Sequence, residues 1–208
     1  MYIPKIYQNH DEADIKAFIQ QNSFGILVTN QGGKTIATHI PLELLTNSEG
    51  KEVLQGHISK ANPQGQHFDE DAEVLCIFNG PHSYVSSSWY DFEEVPTWNY
   101  IAIHVYGTIK TIEGDALYQS VKHLVDKYEA DSERPLSMET LSDKTMRQLN
   151  GITGFEIEIQ DILAKKKLSQ NRDEKNHKNI ISELNKRDDY GSKAIAKEME
   201  KNKLESGG

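Results

Sequence analysis

The segment that most restricts the fold is Val95-Pro96-Thr97-Trp98-Asn99-Tyr100-Ile101-Ala102-Ile103-His104-Val105-Tyr106-Gly107, a proline-bearing loop running into a stretch rich in β-branched and aromatic residues. Residues of that kind in alternation predict a strand with one face on a core, and a sheet scaffold around it. Phe24-Gly25-Ile26-Leu27-Val28-Thr29, then Asn30-Gln31-Gly32-Gly33, then the run from Lys34 to Leu42, reads as two antiparallel strands joined by a glycine turn. A second turn at Thr46-Asn47-Ser48-Glu49-Gly50 leads into a strand from Glu52 to Ser59, and Asn62-Pro63 opens a short helix. Ala72 to Phe78, the region of His82 to Val85, Trp98 to Ile112 and Gly154 to Ile162 bring the expected total to about six strands. Closing such a meander into a barrel removes its exposed edges.

Helices are expected at three places. Asn9 as N-cap, with Glu12 three residues on and Ile15, Phe18 and Ile19 at helical spacing, predicts the first. The second covers about 114 to 130, where Leu117, Val121, Leu124, Val125 and Tyr128 form an apolar stripe, and the third about 143 to 150. A length of 208 residues with 37% hydrophobic content suits one core with a small appendage. No apolar run approaches the roughly 20 residues of a membrane span, so a cytoplasmic chain is expected. The lone cysteine, Cys76, lies in the apolar run Val74-Leu75-Cys76-Ile77-Phe78 and reads as a buried thiol with no disulfide partner.

The net charge of -9 is unevenly divided: residues 165 to 203 hold 12 Lys/Arg against 7 Asp/Glu, and residues 1 to 164 hold 11 against 24. An acidic body repels phosphate backbones, so a DNA contact would have to come from the basic tail or from a basic patch hidden by the sum. The residue pattern divides the chain into a body of residues 1–172 and a charged helical tail of 173–208.

A P-loop, a GxGxxG turn, a GxSxG elbow and a CxxC pair are all missing from the sequence. The eight histidines form no HxxxH or HExxH pair, so no metal site is expected. His39, His57 and His104 fall inside predicted strands, where an isolated histidine usually belongs to the wall. Polar and aromatic residues gather instead at strand ends: Thr38-His39, His57 to Asn62, Pro81 to Ser86, and Trp98-Asn99. Ser59 and Lys60 place a hydroxyl and an ammonium just before a helix start, a combination suited to a phosphate monoester. Tyr84, Trp89, Trp98 and Tyr100 offer flat surfaces for a planar ring.

The segments Ala37-Thr38-His39-Ile40-Pro41-Leu42, Gly56-His57-Ile58-Ser59-Lys60-Ala61-Asn62-Pro63-Gln64, Phe78-Asn79-Gly80-Pro81-His82-Ser83-Tyr84-Val85-Ser86, Val95-Pro96-Thr97-Trp98-Asn99-Tyr100, His104-Val105-Tyr106-Gly107 and Lys167-Leu168-Ser169-Gln170-Asn171-Arg172 resemble, in order, the PaiB family of FMN-binding negative transcriptional regulators. The resemblance implies a mainly β fold with flanking helices, a six-stranded antiparallel split β-barrel of the pyridoxamine-phosphate-oxidase-like class. It also implies a homodimer with FMN at the seam between subunits. By this likeness His57, Ser59, Lys60 and Asn62 hold the ribityl phosphate, with Lys60 as counter-charge, and Thr38 and His39 lie on a strand passing the isoalloxazine ring. Tyr84, Ser86, Trp98 and Asn99 match motifs near the flavin or the seam, and Gln170 and Asn171 close the site from the chain's end. Ser87 stands where the family often has proline, and Gly65 where it often has an aromatic; the first loosens a loop beside Ser86.

Two functions follow from this likeness. One is an FMN-binding regulator, for which the acidic charge gives direct DNA contact little support. The other is a flavin-dependent oxidoreductase or flavin reductase, since bound FMN itself carries the hydride chemistry. The residues leave open whether the protein is an enzyme. Histidines near the supposed pocket motivate a further, weaker reading as a tetrapyrrole binder.

Overall fold

The computed structural model describes residues 1–70 and 72–206, so the last two residues of the expected 173–208 tail lie outside the described residues. Among the described residues seven strands form one sheet in the order β2-β1-β5-β6-β7-β4-β3. They are β1 (Phe24–Gln31), β2 (Lys34–Pro41), β3 (Glu43–Thr46), β4 (Glu52–Ser59), β5 (Glu73–Val85), β6 (Thr97–Ile112) and β7 (Ile152–Lys167). The α-helices of the described residues are α1 (Glu12–Gln21), α2 (Gly114–Glu129), α3 (Asp143–Met146), α4 (Glu174–Asn185) and α5 (Tyr190–Ser206).

The first hairpin forms as the glycines demand. Gln31 pairs with Lys34 across Gly32 and Gly33, whose φ values of 58° and 84° belong to the left-handed region that a tight hairpin turn requires. The expected short helix after Asn62 is a 3-10 helix, Pro63–Glu70.

The strand count differs from the expected six for two reasons. After Pro41 a single residue, Leu42, separates β2 from β3, which pairs antiparallel with β4 from Glu43↔Gln55 to Thr46↔Glu52. Four residues next to a proline carry too short an alternation to be read as a separate strand. The segments on either side of Gly80-Pro81 join into one strand, β5; its pairing with β1 covers only Leu75–Ile77, so β1 places no ladder demand on the missing amide of Pro81. β7 also runs five residues beyond the expected Ile162, through Lys165-Lys166-Lys167, a run that reads as solvated charge until its partners are seen. The cap of α1 is Asp11, whose carboxylate accepts from the Asp14 amide at 3.0 Å. Asn9, the expected cap, instead donates to the Asp14 carboxylate at 2.6 Å and accepts from the Asp11 amide at 3.1 Å.

The chain divides into two compact units, each assembled from separated segments: residues 1–18, 79–104 and 163–208 make the first, and residues 19–78 and 105–162 the second. In the second unit Leu27, Leu42, Leu54, Phe68, Cys76, Phe78, Ile109, Phe155 and Ile157 are fully buried, with Phe68 and Phe155 edge to face at 5.2 Å. Burial pushes the Cys76 thiol far above its ordinary pKa, so it is an inert core group. Gly107 lies where β6 meets β7: a Cβ there would collide with the Glu158 carbonyl oxygen and the Ile157 side chain. Gly107→Ala is therefore expected to cost about 3 kcal/mol or more, read as a lower urea midpoint with an unchanged slope.

In the first unit Val85, Ile103, Leu168, Ile180, Leu184, Ile195, Ala196 and Met199 are buried. The tail is built into this core: α4 and α5 supply five of those side chains. Much of the tail's positive charge is neutralised on the spot, through Lys175–Asp91, Lys178–Glu174, Lys186–Glu183 and Lys201–Asp14.

Candidate functional site

In the second unit the end of β4 turns at Ser59-Lys60-Ala61-Asn62 into the 3-10 helix. Backbone and side-chain bonds fix this turn. The Lys60 amide donates to the Gly151 carbonyl at 2.9 Å, the Asn62 amide to the Ser59 carbonyl at 2.9 Å, and the Ala61 amide to Ser59 Oγ at 3.2 Å. The Lys60 ammonium is exposed, and no carboxylate among the described residues pairs with it. It stands at an open cleft of about 510 Å³ lined by Gly65, Gln66, Thr111, Glu113, Thr153 and Gly154 among others. A free cation, nearby threonines and glycines that let a ligand approach the backbone suit a phosphate monoester.

Behind the turn lies a residue that sequence reasoning missed. Gln64 is fully buried and joins β1, β2 and the turn. Its Nε2 donates to the Leu27 carbonyl and to Thr29 Oγ1, each at 3.1 Å, while Thr38 Oγ1 donates to its Oε1. Its backbone amide donates to Asn62 Oδ1 at 3.0 Å, and Asn62 Nδ2 donates to Thr38 Oγ1 at 3.1 Å. A glutamine after Asn-Pro reads as surface; only its membership of the Asn62-Pro63-Gln64 motif marked it.

Thr38 and His39 are consecutive on a strand and point to opposite faces. Thr38 belongs to the Gln64 network, whereas His39 is exposed beside the Phe24 ring, 6.4 Å between centroids. One ligand on one face of β2 meets only one of them. His57 is half-buried on β4, opposite Gly154 of β7, and burial lowers its pKa below the ordinary 6.5. Burial lowers His104 likewise. Both imidazoles are neutral in folded and unfolded chains at pH 7.5. As pH falls through 6.5 the unfolded chain takes up protons that the folded one resists, so stability is lost on the acid side. A melting temperature a few degrees lower at pH 5.5 is expected, with a smaller drop in His57→Gln.

In the first unit, Asn99 is completely buried and committed: Nδ2 donates to Ser169 Oγ at 3.0 Å, and Ser169 Oγ donates to Asn99 Oδ1 at 3.1 Å. This pair holds Ser169 at φ 56°, a left-handed conformation unusual for serine. Gln170 closes the same turn, accepting from the Leu168 amide and donating to the Lys166 carbonyl, both at 2.7 Å. Ser86 caps the short 3-10 helix Ser87–Trp89, accepting from the Ser88 amide at 3.3 Å. Asn99, Gln170 and Ser86 thus spend their polar groups within the protein. Tyr84 and Trp98 remain at the surface in edge contact, 6.0 Å between centroids, and Asn171 is exposed. The twelve residues picked from sequence therefore fall into two groups, six in each unit.

The mainly antiparallel sheet with flanking helices has the split-barrel fold expected, with seven strands in an order that is not closed, ending at β2 and β3. Among solved structures the chain is similar to the flavocytochrome Anf3 from Azotobacter vinelandii, with a TM-score of 0.61 at 11% identity over 85% of this chain and 78% of that one. It is similar also to the FAD and heme binding protein from Mycobacterium smegmatis, with a TM-score of 0.59 at 15% identity over 77% and 73%. The family profile described as "Putative FMN-binding domain" matches residues 1–161. Protease synthase and sporulation protein PAI 2 of Bacillus subtilis is 42% identical over 201 residues, covering 96% of this chain and 97% of that protein. The chain belongs to this FMN-binding-domain family, in its PaiB branch.

Proposed function

We propose that the protein binds FMN through its phosphate at the Ser59–Asn62 turn, as a PaiB-type homodimer with a role in negative regulation. The observation that carries this reading is the Lys60 ammonium: exposed, held by its backbone on a rigid turn, and facing a cleft with room for a phosphorylated ligand. Ser59 and Asn62 set the turn, Gln64 and Thr38 brace it from behind, and His57 stands two residues earlier on the same face of β4. Bound flavin would supply electron and hydride transfer; the protein's part is to hold the phosphate and keep the cleft shaped.

Titration with FMN and with riboflavin tests the reading. FMN is expected to bind at least tenfold more tightly than the phosphate-free riboflavin, with dimers in solution; equal affinities would remove the phosphate site from the account. Regulation is supported by the name of the Bacillus subtilis relative and by the family likeness, while the paired charges of the tail give DNA little to hold. The second reading, a flavin-dependent oxidoreductase, gains from the open cleft beside Lys60, which leaves space for a second reactant. Oxidation of NAD(P)H by the FMN-loaded protein distinguishes the two.

A further inference from the structure

A cleft of about 640 Å³ lies between α2 and the sheet in the second unit, and its chemistry is used neither by the fold nor by the flavin reading. It shares one wall residue, Ile112, with the cleft at Lys60. α2 turns Ala116, Gln119, Ser120 and His123 toward it, the i, i+3, i+4, i+7 spacing of a single helical face. Opposite them stand Lys110 of β6, Glu156 of β7 and Gln55 of β4, on three strands that are neighbours in the sheet. A helix that lies on a sheet ordinarily meets it with apolar side chains. Here small and polar residues on both sides keep the two apart.

The floor is the carboxylate of Glu156, a residue only 5% exposed. Asn47 Nδ2 donates to it at 3.0 Å and Gln55 Nε2 at 2.9 Å, and the Lys110 ammonium lies 3.3 Å away. Burial by itself would raise the pKa of this carboxyl, but the three donors outweigh it and hold the group below the ordinary carboxylate value, charged at neutral pH. A carboxylate only accepts, so Gln55 must turn its amide nitrogen to Glu156, and its carbonyl oxygen is left accepting nothing among the described residues. Ser120 is 8% exposed, and its hydroxyl bonds to no described residue. A hydroxyl set so deep is costly unless something in the cleft meets it. Asp115, exposed at the edge, has no cation partner among the described residues, and only Gln119 Nε2 reaches it, at 3.4 Å. Lys110, the ammonium that lines the cleft, is already engaged by Glu156, and Glu49 is met by Lys51 at 3.4 Å.

We infer that this cleft binds a small organic amine, its ammonium donating to Ser120, Gln55 and Asp115 near the Glu156 carboxylate and its carbon stem lying along Leu45 and Ile112. The groups left open are acceptors, so a cation rich in N–H donors fits them, whereas an anion would meet carboxylates with no free ammonium to hold it. Leu45 and Ile112 give the stem an apolar wall, and about 640 Å³ is room enough for a small molecule. This site is independent of the flavin reading, whose residue Lys60 stands at the other cleft.

Isothermal titration calorimetry with two pairs of probes tests the site: tyramine against its neutral alcohol tyrosol, and pentylamine against pentanol. At least one amine is expected to bind saturably, about tenfold more tightly than its alcohol, the difference a charge-assisted contact makes. Ala116→Leu sets a helix-favouring side chain across the cleft from an exposed position, and should abolish that binding with an unchanged circular dichroism spectrum and urea midpoint. Asp115→Asn should weaken the amine roughly fivefold and leave the alcohol as it was. Lys60→Ala should bind the amine as the wild type does, so that a failed phosphate assignment leaves this site standing. No saturable binding of either amine, equal affinity for amine and alcohol, or full affinity in Ala116→Leu would each overturn the site, the first by leaving the cleft to water. Displacement of the amine by FMN would overturn it too, by giving the cleft to the flavin.

Discussion

Lys60→Ala is expected to weaken FMN binding by roughly ten- to a hundredfold while leaving the urea midpoint unchanged. A charge-assisted bond to a phosphate oxygen contributes about 1.5–3 kcal/mol net, which is that range of affinity. The fold does not depend on the side chain: the turn is fixed through the Lys60 backbone amide on Gly151, and the ammonium makes no ion pair among the described residues. Lys60→Arg keeps the charge and should lose less. Fluorescence titration at fixed ionic strength checks both variants, because an exposed cation acts partly through screened attraction. Wild-type affinity in Lys60→Ala would show that the phosphate is held elsewhere.

Gln64→Ala is expected to destabilise the protein by about 3 kcal/mol and to weaken FMN binding as well. The lost amide leaves the Leu27 carbonyl, Thr29 Oγ1 and Thr38 Oγ1 without their buried partner, and it opens a cavity beneath the turn that carries Lys60. Gln64→Glu separates the two effects. A carboxylate fills the space but cannot donate to the Leu27 carbonyl, so it should be at least as damaging to stability as alanine. Urea unfolding measures the stability loss and FMN titration the binding loss; a fully stable Gln64→Ala would mean that the bonds are not holding the turn.

The β scaffold is legible in the sequence where local chemistry decides structure. Gly32-Gly33 between two alternating runs admits one arrangement, and the alternation from Trp98 to Ile112 needs one buried face. It is less legible where tertiary partners decide. Lys165-Lys166-Lys167 looks like solvated charge, yet it continues β7 because Tyr100, Asp14 and Thr97 receive the three side chains in turn. Pro81 looks like a strand break, yet β5 runs through it, and the ladder to β1 stops at Ile77, short of the proline. The site shows the same contrast. Lys60 and its turn can be picked from Ser-Lys before Asn-Pro, whereas the bracing role of Gln64 depends on carbonyls and hydroxyls from β1 and β2 that no local pattern reveals. Asn99 marks an informative motif, but its partners Ser169 and Met199 are 70 and 100 residues away, so its part in closing the Ser169 turn is visible only in three dimensions.

The most direct test of the central claim is a crystal structure of the protein grown with FMN. The account predicts phosphate density within about 3 Å of the Lys60 ammonium, in the cleft that also holds Thr153 and Gly65. Ordered flavin with its phosphate away from Lys60 would contradict it.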